Sequence, residues 1–61
     1  MAGERFEIFK DAAGKFRFRL RAQNGEIIAE SQGYGSKEAC QKGIASVKEN
    51  ASKAETKDYT T

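Results

Sequence analysis

Apolar and basic residues alternate along Phe16-Arg-Phe-Arg-Leu-Arg21, the period-two spacing of a strand with one dry and one wet face. The pattern runs through Ala22 into Asn24-Gly25, a pair that favours a tight hairpin turn, and resumes at Ile27. Upstream, Arg5 to Lys10 alternates in the same way, with Phe6 and Ile8 on one side. Between these two runs, Asp11-Ala-Ala-Gly14 has the form of a type I turn closed by a left-handed glycine. With Ala12, Ala13 and Gly14 as the loop, the cross-strand partners are Lys10 with Phe16, Ile8 with Phe18 and Phe6 with Leu20. A two-residue turn at Asn24-Gly25 pairs Ala22 with Ile27 and Leu20 with Ala29, which extends the same apolar face. The chain therefore opens with an antiparallel meander whose second strand lies in the middle.

The pattern then changes. Gly33-Tyr-Gly35 interrupts the strands, Ser36 is suited to cap a helix, and Cys40, Gly43, Ile44 and Val47 recur at helical spacing as far as Asn50. An amphipathic helix of about 14 residues is predicted. A helix-interior glycine costs up to ~1 kcal/mol relative to alanine, so Gly43 on the apolar side implies a close approach to the sheet. After Ala51-Ser-Lys-Ala54 the polar segment Glu55 to Thr60 reads, on composition alone, as a tail.

Length alters this picture more than composition does. A chain of 61 residues makes one domain, spanning residues 1–61, and at this size only about 60% of the unfolded surface can be buried. One core below about 70 residues rarely supplies more than roughly 3–5 kcal/mol, so small domains are usually stapled by disulfides, a metal or a second copy. There is one cysteine, Cys40, and no histidine, which excludes an internal disulfide and an ordinary zinc site. Self-association is the staple left.

Charged residues form 33% of the chain with a net charge of +2, too weak a field for a dedicated nucleic-acid binder. No apolar run approaches the ~18 residues of a membrane span, and Met1-Ala-Gly-Glu4 lacks the features of a signal peptide. A cytoplasmic protein is expected, consistent with a lone reduced thiol.

Laid out in order, Phe6, Asp11, Gly14, Phe16-Arg-Phe18, Leu20, Ala22, Asn24-Gly25, Ser36-Lys37, the run Lys42-Gly-Ile-Ala-Ser-Val-Lys48 and Asn50 resemble the YegP-like family of small, mostly bacterial proteins over nearly the whole chain. The resemblance implies an α+β fold: a β-β-β-α-β unit with one helix packed on the apolar face of the meander. Such units are used in pairs, as tandem repeats or as two subunits, and build one sheet with exchanged C-terminal strands. A chain with one unit is then expected to be a homodimer in which Thr56, Lys57, Asp58 and Tyr59 cross to the partner. Tyr59 is the one large apolar or aromatic residue of that segment, so the exchange must rest mainly on backbone pairing to a sheet edge. No catalytic residue is implied.

Among residues that could carry chemistry, Lys15, Arg17, Arg19 and Arg21 stand out. At period two they project from one strand face about 20 Å long and could bind a polyanion such as single-stranded nucleic acid, or an acidic protein. Binding platforms of that kind interleave aromatics with the cations, whereas Phe16 and Phe18 point the other way. The deduced registers also put Glu7 and Glu30 on either side of Arg19 and Phe9 across from Arg17. A solvated face held by ion pairs is therefore expected.

Gly33-Tyr-Gly-Ser-Lys37 lacks the spacing of a phosphate-binding loop and reads as a capped connection. Cys40 is expected as a small core residue, since burial opposes ionisation and no histidine can activate it. Glu26 and Glu30 lie roughly 13 Å apart along a strand, too far for a glycosidase pair, and are expected as surface charges. Tyr34 and Tyr59 read as packing or rim residues. A non-enzymatic protein without cofactor or metal is expected.

Overall fold

A computed structural model describes residues 3–60. Among them the order is β1 (Arg5–Lys10), β2 (Phe16–Arg21), β3 (Ile27–Glu30) and α1 (Lys37–Asn50). The strands form an antiparallel sheet in the order β1-β2-β3. This is the expected α+β meander followed by one helix.

The first hairpin has the register read from its alternation: Lys10 faces Phe16, Ile8 faces Phe18 and Phe6 faces Leu20. Its turn is closed by Asp11 N–H to Lys15 O and Gly14 N–H to Asp11 O, both 2.9 Å. Gly14 has φ +81°, a conformation that a side chain disfavours.

The second hairpin corrects the expected two-residue turn. Ala22 N–H bonds Glu26 O at 2.7 Å and Gly25 N–H bonds Ala22 O at 2.9 Å, so Gln23, Asn24 and Gly25 form a three-residue loop like the first. The physical reason lies at Asn24. A type I′ turn needs positive φ at both central residues, and here Gly25 alone has it, at +90°. Arg21, not Ala22, therefore faces Ile27. The Leu20–Ala29 pair is present as expected, because the register shifts between Leu20 and Arg21 and Ile28 is the extra residue of a bulge. Ile27, expected on the covered face, ends up 44% exposed, and the bulged Ile28 is 60% exposed.

Beyond β3 the chain stays beside β2. Ser31 N–H bonds Phe18 O, and Phe16 and Tyr34 exchange backbone hydrogen bonds of 2.9 and 2.7 Å. Ser36 then caps α1, its Oγ accepting the Ala39 N–H at 3.1 Å.

The helix packs across β2. Phe18, 5% exposed, and Cys40, fully buried, are the core among the described residues. Phe18 meets Phe6 edge-on at 5.9 Å and stacks on Tyr34 at 6.2 Å. Gly43 makes the predicted close approach: a Cβ there would lie 2.5 Å from Tyr34 Oη and 3.2 Å from Phe18 Cε2. Toward its C-terminal end the helix reaches β1, with Lys48 Nζ 5.7 Å from the Phe6 ring centre.

After α1, Lys53 N–H bonds Asn50 O and Ala54 N–H bonds Ala51 O in successive turns. Residues 54–60 lie outside any helix or strand and are exposed. Thr56, Lys57, Asp58 and Tyr59 thus form no strand within the single chain. Tyr59 is 87% exposed.

Candidate functional site

Arg17, Arg19 and Arg21 alternate along β2 with the inward Phe16, Phe18 and Leu20, so pleating alone sends them to the face away from the helix. The same parity applies to Arg5, Glu7 and Phe9 on β1, which stand opposite Arg21, Arg19 and Arg17. Three guanidinium groups converge there on one carboxylate. Glu7 Oε1 accepts from Arg19 Nε at 2.7 Å and Arg21 Nε at 2.8 Å, while Oε2 accepts from Arg5 Nε at 2.8 Å. The hydrogen bonds from Arg21, Arg19 and Arg5, in that order, lower the Glu7 pKa from 4.5 to about 2.

A second tie closes the other end of the row. Arg17 Nε donates to Asp11 Oδ2 at 2.6 Å, and its Nη1 donates to Ser31 O at 3.2 Å. Asp11 Oδ1 accepts the backbone N–H groups of Ala13 and Lys15 at 2.9 Å each. Arg17, then the Lys15 amide, hold this carboxyl below the ordinary carboxylate range. One aspartate therefore shapes the first turn and pairs with Arg17 of the neighbouring strand.

These contacts decide what the face can do. Guanidinium groups already donating to carboxylates and carbonyls have fewer N–H groups left for phosphate oxygens, and an incoming polyanion meets Glu7 and Asp11 as well. Arg19 lies over Phe9, its guanidinium carbon 4.5 Å from the ring centre, so that ring is covered rather than open for base stacking. Lys15 sits in the turn, its stem against Gly33, where a Cβ would come within 2.9 Å of Lys15 Cβ.

The sequence placed Glu7 across from Arg19, and the structure agrees. Glu30 also faces Arg19 in register but forms no ion pair among the described residues. Phe9 faces Arg17 along the backbone, yet the cation over its ring is Arg19. What the sequence reading missed is the convergence of Arg5 and Arg21 on Glu7 and the tie from Asp11 to Arg17. A signal was present: the first-hairpin register sets Arg5 beside Arg21, so both flank Glu7.

The remaining candidates make packing and capping contacts. Burial pushes the Cys40 thiol up, away from the thiolate needed for attack. Ser36 caps the helix in the connection from Gly33 to Lys37, and Tyr34 packs on Phe18. Among the described residues no three His, Cys, Asp or Glu side chains come together as a metal-binding group. No helix there is long and apolar enough to cross a membrane.

Residues 11–58 match the family model described as a domain of unknown function, DUF1508. A UPF0339 protein of Methanosarcina acetivorans is 66% identical over 50 residues, covering 82% of this chain and 86% of its own. The UPF0339 protein YegP of Yersinia pestis is 47% identical over 51 residues, covering 84% of this chain but 46% of its own. The solution structure of a protein from Haloferax volcanii superposes with a TM-score of 0.86 at 46% identity, over 95% of this chain and 98% of that one.

Proposed function

Since the chain belongs to the DUF1508 family of YegP-like UPF0339 proteins, we propose that it is a small, non-enzymatic structural or accessory protein acting as a symmetric homodimer. In this reading Thr56 to Tyr59 leave their own chain and add a strand to the partner's sheet.

The observation that carries the proposal is surface. The single chain exposes 4906 Å², whereas a compact monomer of its mass exposes roughly 3,900 Å². The surplus of about 1,000 Å² exceeds the ~800 Å² that each partner contributes to a stable interface of standard size. Shape supports the same reading: the radius of gyration is 13.1 Å, against about 10.5 Å for a compact chain of this length. YegP of Yersinia pestis adds a parallel, because the aligned segment spans under half of it, leaving room for a second unit in one chain.

Sedimentation equilibrium of the full chain and of a variant ending at Ala54 tests the proposal. The full chain is expected at twice its 6.7 kDa mass, and the shortened chain as a monomer or unfolded. A shortened chain that keeps both dimer mass and stability would show that the arm does not hold the dimer together.

A further inference from the structure

We infer that Asn24 is a site of covalent modification: the Gly25 backbone nitrogen attacks its side-chain amide, ammonia is lost, and the residue becomes aspartate or isoaspartate. The loop that carries it sets how fast this happens.

Asn24 is exposed in the connection between β2 and β3, beside an open depression of about 350 Å3 lined by Ala22, Gln23 and Asn24. Water reaches the amide there. Gly25 has no side chain, and a Cβ built on it would meet nothing within 4 Å, so the peptide nitrogen that follows the asparagine is unshielded. Asn24 Oδ1 accepts the Glu26 N–H at 3.0 Å, which draws electron density from Cγ and favours attack at that carbon. Asn50, the other asparagine, differs at each point. Its Nδ2 donates to Ser46 O at 2.9 Å and to Ser46 Oγ at 3.3 Å, the next residue carries a methyl group, and the Ala51 N–H is held by Val47 O at 2.9 Å.

The step needs no reagent but water. The Gly25 nitrogen gives its proton to solvent and bonds to Asn24 Cγ; the Cγ–Nδ2 bond breaks, and Nδ2 takes a proton and leaves as ammonia. A five-membered succinimide results. Water then opens the ring at Cγ, which gives aspartate, or at the main-chain carbonyl carbon, which gives isoaspartate with the chain rerouted through Cβ. One water is consumed and one ammonia released, without oxidation or reduction.

One contact opposes the attack. The Gly25 N–H donates to Ala22 O at 2.9 Å and must let go before the nitrogen can lose its proton. A hydrogen bond of that kind shifts an equilibrium by roughly three- to tenfold, so the closed loop slows the reaction by about that factor. The product in turn prevents reclosure. The succinimide nitrogen has no hydrogen to give Ala22, and isoaspartate adds a methylene to a loop closed by Ala22 N–H to Glu26 O at 2.7 Å and braced by Arg21 Nη1 to Gly25 O at 2.7 Å. Aspartate keeps the original backbone length, and its carboxylate can accept the Glu26 N–H as the amide does. Both products place a new negative charge two residues from Glu26.

The test incubates the full chain at mildly alkaline pH, folded in buffer or unfolded in guanidinium chloride, and follows it by isoelectric focusing and peptide mass mapping. Replacement of NH2 by OH at position 24 is expected in both samples, with two chromatographically distinct products, one of them a substrate for an isoaspartate methyltransferase. The folded sample should react roughly three- to tenfold more slowly. Asn24→Gln, which must close a six-membered ring, should abolish the charge change. A chain unmodified at Asn24 after weeks, a rate at Asn50 equal to that at Asn24, or a charge change that survives Asn24→Gln would overturn the assignment. Equal rates in the two samples would overturn control by the loop. Asn24→Asp separates charge from backbone length: it should melt close to the unmodified chain, while the purified isoaspartate form melts lower. An isoaspartate form as stable as the unmodified chain would overturn the coupling to the hairpin.

Discussion

At the scale of single residues, the outer sheet face is organised by two carboxylates. Glu7 gives it a pH dependence whose sign is fixed. Its folded pKa is depressed to about 2 from 4.5, so the stabilisation is fully present above about pH 4.5 and is lost as pH falls through the folded value. Melting temperatures should be flat with respect to Glu7 from neutral pH to about 5 and should drop between pH 4.5 and 2. Glu7→Gln should lower the neutral-pH melting temperature and flatten part of that acid slope; an unchanged slope would mean the three arginines do not recognise the charge. The same pairing bears on ligands. Because Arg17, Arg19 and Arg21 are held by Asp11 and Glu7, filter binding at low salt is expected to show no retention of single-stranded DNA at tens of micromolar protein. Salt-sensitive retention lost in an Arg19→Ala variant would revive the polyanion reading of Lys15, Arg17, Arg19 and Arg21.

At the scale of elements, the sequence was legible wherever two independent signals agreed. The first hairpin had both alternation and the Asp11-to-Gly14 turn, and its register is as read. The second had the same alternation, but its turn signal was ambiguous: Asn-Gly suits a two-residue turn, while glycine at the last loop position suits a three-residue one. The chain adopts the latter and restores the Leu20–Ala29 pairing with a bulge, a long-range compensation that no local pattern announces. The ion-pair convergence on Glu7 takes one step beyond the register, which sets Arg5 and Arg21 beside Glu7 but names opposite residues and not the diagonal reach of arginine.

Helix packing was legible at Gly43, where the poorest helix former on the apolar face marks the closest contact. Gly43→Ala gains up to ~1 kcal/mol of helix propensity, but its methyl group would collide with Tyr34 Oη and crowd Phe18 Cε2, and such overpacking costs about 1–3 kcal/mol. A lower urea midpoint is expected. Tyr34→Phe removes the nearest atom, so the double variant should recover part of the loss. Additive effects of the two substitutions would refute a contact between these sites.

At the scale of the whole molecule, the core among the described residues is Phe18 and Cys40, small beside the surface the chain exposes, and the proposed dimer would enlarge it. If folding is completed by a second copy, native stability is tied to chain concentration by mass action. The melting temperature of the full chain should therefore rise measurably between about 1 and about 100 µM protein. Joining two copies head to tail through a flexible linker long enough to span them turns docking into an intramolecular step, with an effective concentration on the order of millimolar. The joined protein should melt at a higher temperature than the separate chain at micromolar concentration, and independently of dilution. This tandem form reproduces, in one polypeptide, the roughly doubled length of relatives such as YegP of Yersinia pestis. A separate chain whose melting temperature ignores dilution, and which gains nothing from joining, would be complete by itself, and its exposed arm would then need a different occupant.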